Sequence, residues 1–124
     1  MKYMLLIYMH EDAMSEEERQ SCYRESTQLA HDLQARGQYV SANPLQPVAM
    51  ATSVRVREGK RVVTDGPFAE TREQLGGYFL VEARDLNEAI AVASKIPAAR
   101  KGTVEVRPVM EIPNLPEVPA LSAQ

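Results

Sequence analysis

Asp65 is the first residue whose type and position could do chemistry. It follows a run of strand-forming residues and precedes Gly66-Pro67. A carboxylate at a strand end can reach into the cleft between a sheet and a helix, where apolar surroundings raise its pKa and suit it to act as a general acid or base. The same local sequence is typical of an Asx turn, in which the carboxylate accepts backbone N–H bonds. Both interpretations stay open from the sequence.

His10 is the second candidate for proton transfer. It follows an apolar run and precedes Glu11 and Asp12, whose carboxylates would favour the protonated imidazole if they approach the ring. A catalytic partner and a solvated loop histidine are both compatible with this pattern. Three consecutive residues rarely converge on one ion, so we expect no metal site here.

Four further side chains could contact a ligand. Glu70 and Arg72 follow Phe68 and could bind a polar molecule, although an exposed ion pair is the ordinary alternative. Tyr8 and Tyr78 lie in apolar runs and could line a pocket with their hydroxyls or belong to the core. These residues predict at most a small polar ligand.

Composition limits the classes of function. The 124 residues suit one domain, 44% of them are hydrophobic, and the single cysteine excludes an internal disulfide. The net charge of −3 disfavours nucleic acid as a partner. No apolar run approaches the roughly 20 residues of a membrane span, so we expect a cytoplasmic protein that is not bound to a membrane.

Hydrophobic patterning predicts the elements that must position these residues. The continuous apolar run 3–9 indicates a strand covered on both faces. Ser15 and Glu18 form a capping-box pattern, which predicts a helix over 15–36 that stops before Gly37. Apolar or small residues at helical spacing define its buried stripe: Cys22, Ser26, Leu29, Ala30 and Leu33.

The rest of the domain alternates between strands and one more helix. We expect strands at 39–48, 53–57, 60–64, 78–81 and 103–109, with 53–64 forming a hairpin. Asp85 begins a second helix that ends before Pro97, with a buried stripe of Leu86, Ala89, Ile90 and Ala93. The domain spans 1–110, and 111–124 form a Pro-rich tail.

This order predicts an α+β ferredoxin-like domain (βαββαβ) with an extra β-hairpin. Two helices cover only one face of such a sheet, yet both central strands are apolar throughout. Packing two sheets face to face would bury the second face in a homodimer, a dimeric α+β barrel. The alternative is that the tail and the hairpin 53–64 cover that face in a monomer.

The segments 65–71 (Asp-Gly-Pro-Phe-Ala-Glu-Thr) and 72–78 resemble the YCII-related family, in particular its DGPF-domain branch. Residues 1–8, 96–100 and 104–109 resemble it as well. The resemblance implies a dimeric barrel of ferredoxin-like subunits. In the YciI-like branch it also implies a His/Asp pair with the histidine on the first helix. Asp65 matches the aspartate of the motif, but His31 lies about 180° from the buried stripe and is expected to face solvent.

Two functional hypotheses follow from the residues and the resemblance. The first is cofactor-free lyase- or isomerase-type chemistry, or small-molecule binding, with Asp65 as base and His10 as partner. The second is a non-enzymatic accessory or regulatory module that associates with an extracytoplasmic-function sigma factor.

Overall fold

The computed structural model describes residues 1–116, so most of the predicted tail lies outside the described residues. This part of the chain forms six strands and two helices. They are β1 (Lys2–Met9), α1 (Glu16–Ala35), β2 (Tyr39–Pro44), β3 (Thr52–Arg57), β4 (Lys60–Asp65), β5 (Gln74–Glu82), α2 (Leu86–Ala93) and β6 (Thr103–Pro108).

Four of the strands form an antiparallel sheet in the order β2-β5-β1-β6. The two continuously apolar strands, β1 and β5, are therefore central, and the alternating β6 lies at an edge, as predicted. Strands β3 and β4 pair only with each other. The architecture is α+β with a mainly antiparallel sheet, and it is compatible with a ferredoxin-like fold.

The core lies on one face of the sheet, beneath the helices. Strand β1 contributes Tyr3 and Leu5, and β5 contributes Phe79 and Val81. Leu29 and Leu33 of α1 pack against these side chains. Complete burial removes each leucine from water, which stabilises the fold by about 1.5–3 kcal/mol per side chain.

The predicted buried stripe of α2 is wrong at two positions. Leu86 and Ile90 are about half exposed, whereas Ala89, Val92 and Ala93 are buried. The helix has only eight residues and turns its small side chains toward the sheet, so its backbone packs close to the core. The larger Leu86 and Ile90 project away from this contact.

The opposite face of the sheet is covered by no element of the described chain. Its central side chains alternate with the core residues and are half-buried: Met4, Leu6, Tyr8, Tyr78 and Leu80. We call this surface the open face. The hairpin β3–β4 does not cover it, because the hairpin packs mainly on itself.

Both helix starts follow the predicted caps. The Ser15 hydroxyl accepts from the Glu18 N–H, and the Glu18 carboxylate accepts from the Ser15 N–H, each at 3.1 Å.

Lys101 also donates to Glu18. This hydrogen bond is the main reason that the pKa of Glu18 falls from 4.5 to about 2.

We expect Glu18→Gln to lower the free energy of unfolding at pH 7, because glutamine keeps the capping bond but removes the charge that pairs with Lys101. A carboxyl whose pKa is lower in the folded state stabilises above its unfolded pKa and loses that effect as pH falls. The deficit should therefore shrink between pH 4.5 and about 2, measured by urea unfolding. Glu17→Gln is the matched control, and a deficit independent of pH would contradict the role assigned to this charge.

Gly102 permits a close approach of the chain to β1. A Cβ at Gly102 would lie 2.1 Å from the Tyr8 carbonyl oxygen, whereas the nearest atom to a Cβ at Gly76 is 4.0 Å away. We expect Gly102→Ala to destabilise the protein by about 1–3 kcal/mol, because backbone must shift to relieve the overlap. Gly76→Ala should change stability little. Equal unfolding midpoints for the two variants would show that the Gly102 contact relaxes without cost.

Candidate ligand-binding cavity

A cavity of about 740 Å³ lies between one flank of α1 and the half of the sheet formed by β2 and β5. This volume suits a small organic molecule, since ligand sites usually enclose about 300–1,000 Å³. Much of the wall is apolar, contributed by Ile7, Met9, Ala30, Leu45, Leu75 and Phe79. The cavity continues the apolar core toward solvent.

The geometry of α1 explains why the cavity exists. At 100° per residue, Leu29 and Leu33 define the side that packs on the core. Cys22 points in nearly the same direction as these leucines. Ser26 and Tyr23 lie roughly 40° and 100° around the helix from Cys22, so they face the gap beside the core contact. Both line the cavity.

His31 is exposed, as predicted for a residue opposite the core stripe, and it also borders the cavity. The stripe of apolar residues predicted which side of α1 packs on the core. It could not predict that the neighbouring side of the helix lines a cavity.

His10 lies at the polar end of the cavity, directly after β1. Its Nδ1 accepts a hydrogen bond from the Asp12 backbone N–H at 3.1 Å. A neutral imidazole that accepts at Nδ1 carries its proton on Nε2. When neutral, His10 therefore has its hydrogen-bond donor at Nε2.

Arg19 and Glu11 complete the polar end, and both are held by other groups. Arg19 donates to the Glu11 carbonyl at 3.0 Å, which ties the start of α1 to the end of β1. The Glu11 carboxylate accepts from the Val48 N–H at 2.9 Å, and the Glu11 N–H donates to Gln74 at 3.1 Å. These bonds fix both side chains before any ligand binds.

Cys22 also borders the cavity, and it is a neutral thiol. It is half-buried, with its Sγ 3.6 Å from the Met14 sulfur. Burial raises its thiol pKa. The packing role predicted for Cys22 is compatible with this setting, because a reactive thiolate needs a lowered pKa.

The two candidate tyrosines lie in β1 and β5. Tyr8 belongs to the open face, because it alternates with the core-packed Ile7 and Met9. Tyr78 likewise belongs to the open face, since it alternates with the buried Phe79, and the residue also contributes to the cavity lining. Its hydroxyl accepts from Asn43 at 3.1 Å, and the Ser41 and Asn43 side chains lower the pKa of its phenol.

Asp65, Glu70 and Arg72 lie away from the cavity wall, and all three are exposed. Asp65 ends β4 at the base of the hairpin. Within residues 1–116 its carboxylate accepts no hydrogen bond, and the adjoining turn is held by the Ser53 hydroxyl, which donates to the Gly66 carbonyl at 2.7 Å. The structure thus brings His10 and Tyr78 to the cavity but not Asp65, Glu70 or Arg72. The Asx-turn bonds considered for Asp65 are not formed in this part of the chain.

The fold and the cavity define a small α+β protein with a ligand-sized pocket beside its first helix. The chain belongs to the YCII-related family, whose domain profile matches residues 1–113. It is 36% identical over 118 residues to an uncharacterised protein of Rhizobium meliloti (strain 1021), an alignment that covers 88% of this chain and 92% of the relative. The DGPF branch is compatible with this match and stays a prediction from residues 65–71. Association with a sigma factor also stays a prediction.

Neither helix within residues 1–116 is long and apolar enough to cross a lipid bilayer.

Proposed function

We propose that the protein binds a small organic molecule in the cavity between α1 and the sheet. The observation that carries this proposal is a cavity of about 740 Å³ with a mostly apolar wall and a polar end at His10. Pockets with this distribution use the apolar wall for affinity and a few placed polar groups for orientation.

The polar end favours a neutral acceptor over an anion. Neutral His10 offers an N–H donor, and the Glu11 and Asp12 carboxylates outnumber the single Arg19 cation at this end, so its net negative charge disfavours an anion. A ligand with an apolar body and a carbonyl oxygen meets both conditions.

We expect an uncharged naphthalene ketone such as prodan to bind and to shift its fluorescence to the blue. Ser26→Phe should weaken binding by about tenfold or more, because a ring in the cavity displaces the probe at a cost of at least about 1.4 kcal/mol. Ser21→Phe is the matched control, since Ser21 lies on an exposed face of the same helix outside the cavity. Fluorescence titration measures both, and equal affinity in the two variants would contradict the cavity as the site.

The same titration separates the two candidate proton-transfer residues. We expect His10→Phe to weaken prodan binding, because the N–H donor toward the carbonyl is lost. Asp65→Asn should bind like the wild type, since Asp65 is not on the cavity wall. Weaker binding by Asp65→Asn would restore this carboxylate to the site and favour the proton-transfer chemistry predicted for it.

We also propose that two copies pack through their open faces to form the dimeric barrel. Support comes from the five half-buried apolar or aromatic side chains at its centre, which no element of residues 1–116 covers. A contiguous apolar surface in the middle of a sheet is typical of an interface.

Sedimentation equilibrium should show a dimer for the wild type and weaker association for Leu80→Gln. Leu80 is half-buried on the open face, and a polar amide there would be desolvated without a partner. Ile90→Gln, on α2, is the control and should remain dimeric. A wild type that stays monomeric at about 100 μM would contradict the dimer, since stable homodimers usually associate far more tightly.

A further inference from the structure

The hairpin formed by β3 and β4, Thr52–Asp65, is a well-formed element that projects from the domain. We call it the arm. Its two-residue turn places Glu58 and Gly59 at φ 53° and 74°, the conformation that matches the twist of paired strands. At its base, the Gly66 N–H donates to the Ala51 carbonyl at 2.7 Å, next to the Ser53 bond already described. The arm therefore has a defined direction.

The two faces of the arm differ in chemistry. Cross-strand pairing places Val54 opposite Val63, Val56 opposite Arg61 and Thr52 opposite Asp65 on one face. The other face pairs Arg57 with Lys60 and Arg55 with Val62. The first carries three of the four valines and the second carries three of the four cations, so we call them the apolar face and the basic face.

The apolar face has no partner within the described chain. Val54, Val56 and Val63 expose 60%, 63% and 53% of their surface. No other strand or helix of residues 1–116 makes more than glancing contact with the arm. An isolated two-stranded hairpin is marginally stable in water. A hairpin with an uncovered valine face therefore needs a surface to pack against.

Two further exposed apolar side chains lie close in sequence to the base of the arm. Phe68 is 81% exposed and Met50 is 71% exposed. Neither residue borders the cavity. An aromatic side chain that is exposed to solvent in the single chain is typical of a residue that a partner buries.

Charge supports a second copy as the partner. The arm holds four cationic and two acidic side chains, a net charge of +2, whereas the whole chain carries −3. The rest of the chain therefore carries −5. The arm is complementary in charge to the body of its own protein, and each chain also has the uncovered open face.

We propose that the apolar face of the arm, with Phe68, packs against the body of a second copy of this chain. Two-fold symmetry lets each arm reach the other copy and buries both valine faces in a closed assembly. Six residues per strand give the arm a reach of about 20 Å, enough to extend over a neighbouring subunit. The inference rests on the proposed dimer and assigns the arm and the Phe68 motif to its interface.

Sedimentation equilibrium on two arm variants tests this packing. Val54→Thr/Val63→Thr keeps the branched shape that strands favour and makes the apolar face polar, while Phe68→Ala removes an exposed ring. We expect each variant to raise the dimer dissociation constant about tenfold or more, as residues at the centre of interfaces do. Val62→Thr, on the basic face, should change it less than twofold, which corresponds to less than about 0.4 kcal/mol. Circular dichroism checks that every variant folds.

The outcomes separate this inference from the face-to-face dimer. A dimer weakened by Leu80→Gln but unchanged by both arm variants would overturn the role of the arm alone. A dimer weakened by the arm variants and unchanged by Leu80→Gln would support the arm and contradict the open-face contact. A third outcome would overturn the inference in favour of nucleic acid. The wild type would bind a fluorescent duplex DNA at low salt, Arg55→Ser/Arg57→Ser would lose that binding, and Val54→Thr/Val63→Thr would leave the dimer dissociation constant unchanged.

Discussion

The apolar contact between the second half of α1 and the centre of the sheet determines the rest of the structure. Leu29 and Leu33 are the buried side chains of this 20-residue helix. The first half is held instead by exposed groups, with Glu25 paired to Arg100 and Glu18 paired to Lys101. Exposed ion pairs contribute little free energy, but they fix where the helix lies. Because the helix is anchored by leucines at one end and by charges at the other, a space remains between its flank and β2.

Sequence patterns predicted the elements of this fold well, because each depends on local chemistry. The capping box of α1, the continuous apolar strands and the Glu58-Gly59 turn are all present. Errors arose where packing rather than local preference decides. Strand β5 begins at Gln74, earlier than the predicted 78. A Cβ at Gly77 would lie only 3.0–3.2 Å from the backbone of β2, so glycine permits the close strand pairing there. The exposure of Leu86 and Ile90 has the same origin, since close packing of α2 selects its small residues.

The candidate site was only partly predictable, for two physical reasons. A helical stripe shows which side of α1 meets the core, but a cavity wall needs the position of a second element, and that is set by tertiary contacts. His10 could be chosen because it follows a central strand, and Tyr78 because it lies in one. Asp65 was chosen from a motif that correctly predicts the end of β4, yet a strand end does not reveal that its hairpin leaves the body of the domain.

The chain carries more apolar surface than its own core uses, and the shapes of the three unused regions suggest different occupants. The cavity is concave and ends in the His10 donor, so it suits a small molecule that can be enclosed and oriented. The open face is broad and the arm is a projecting ribbon, and neither encloses anything. Such surfaces are best buried by another protein surface, and a second copy supplies both an acidic body and an identical open face. A single two-fold assembly can therefore cover the open face and the arm while leaving the cavity beside α1 to a ligand, which is why we assign association and ligand binding to different parts of the chain.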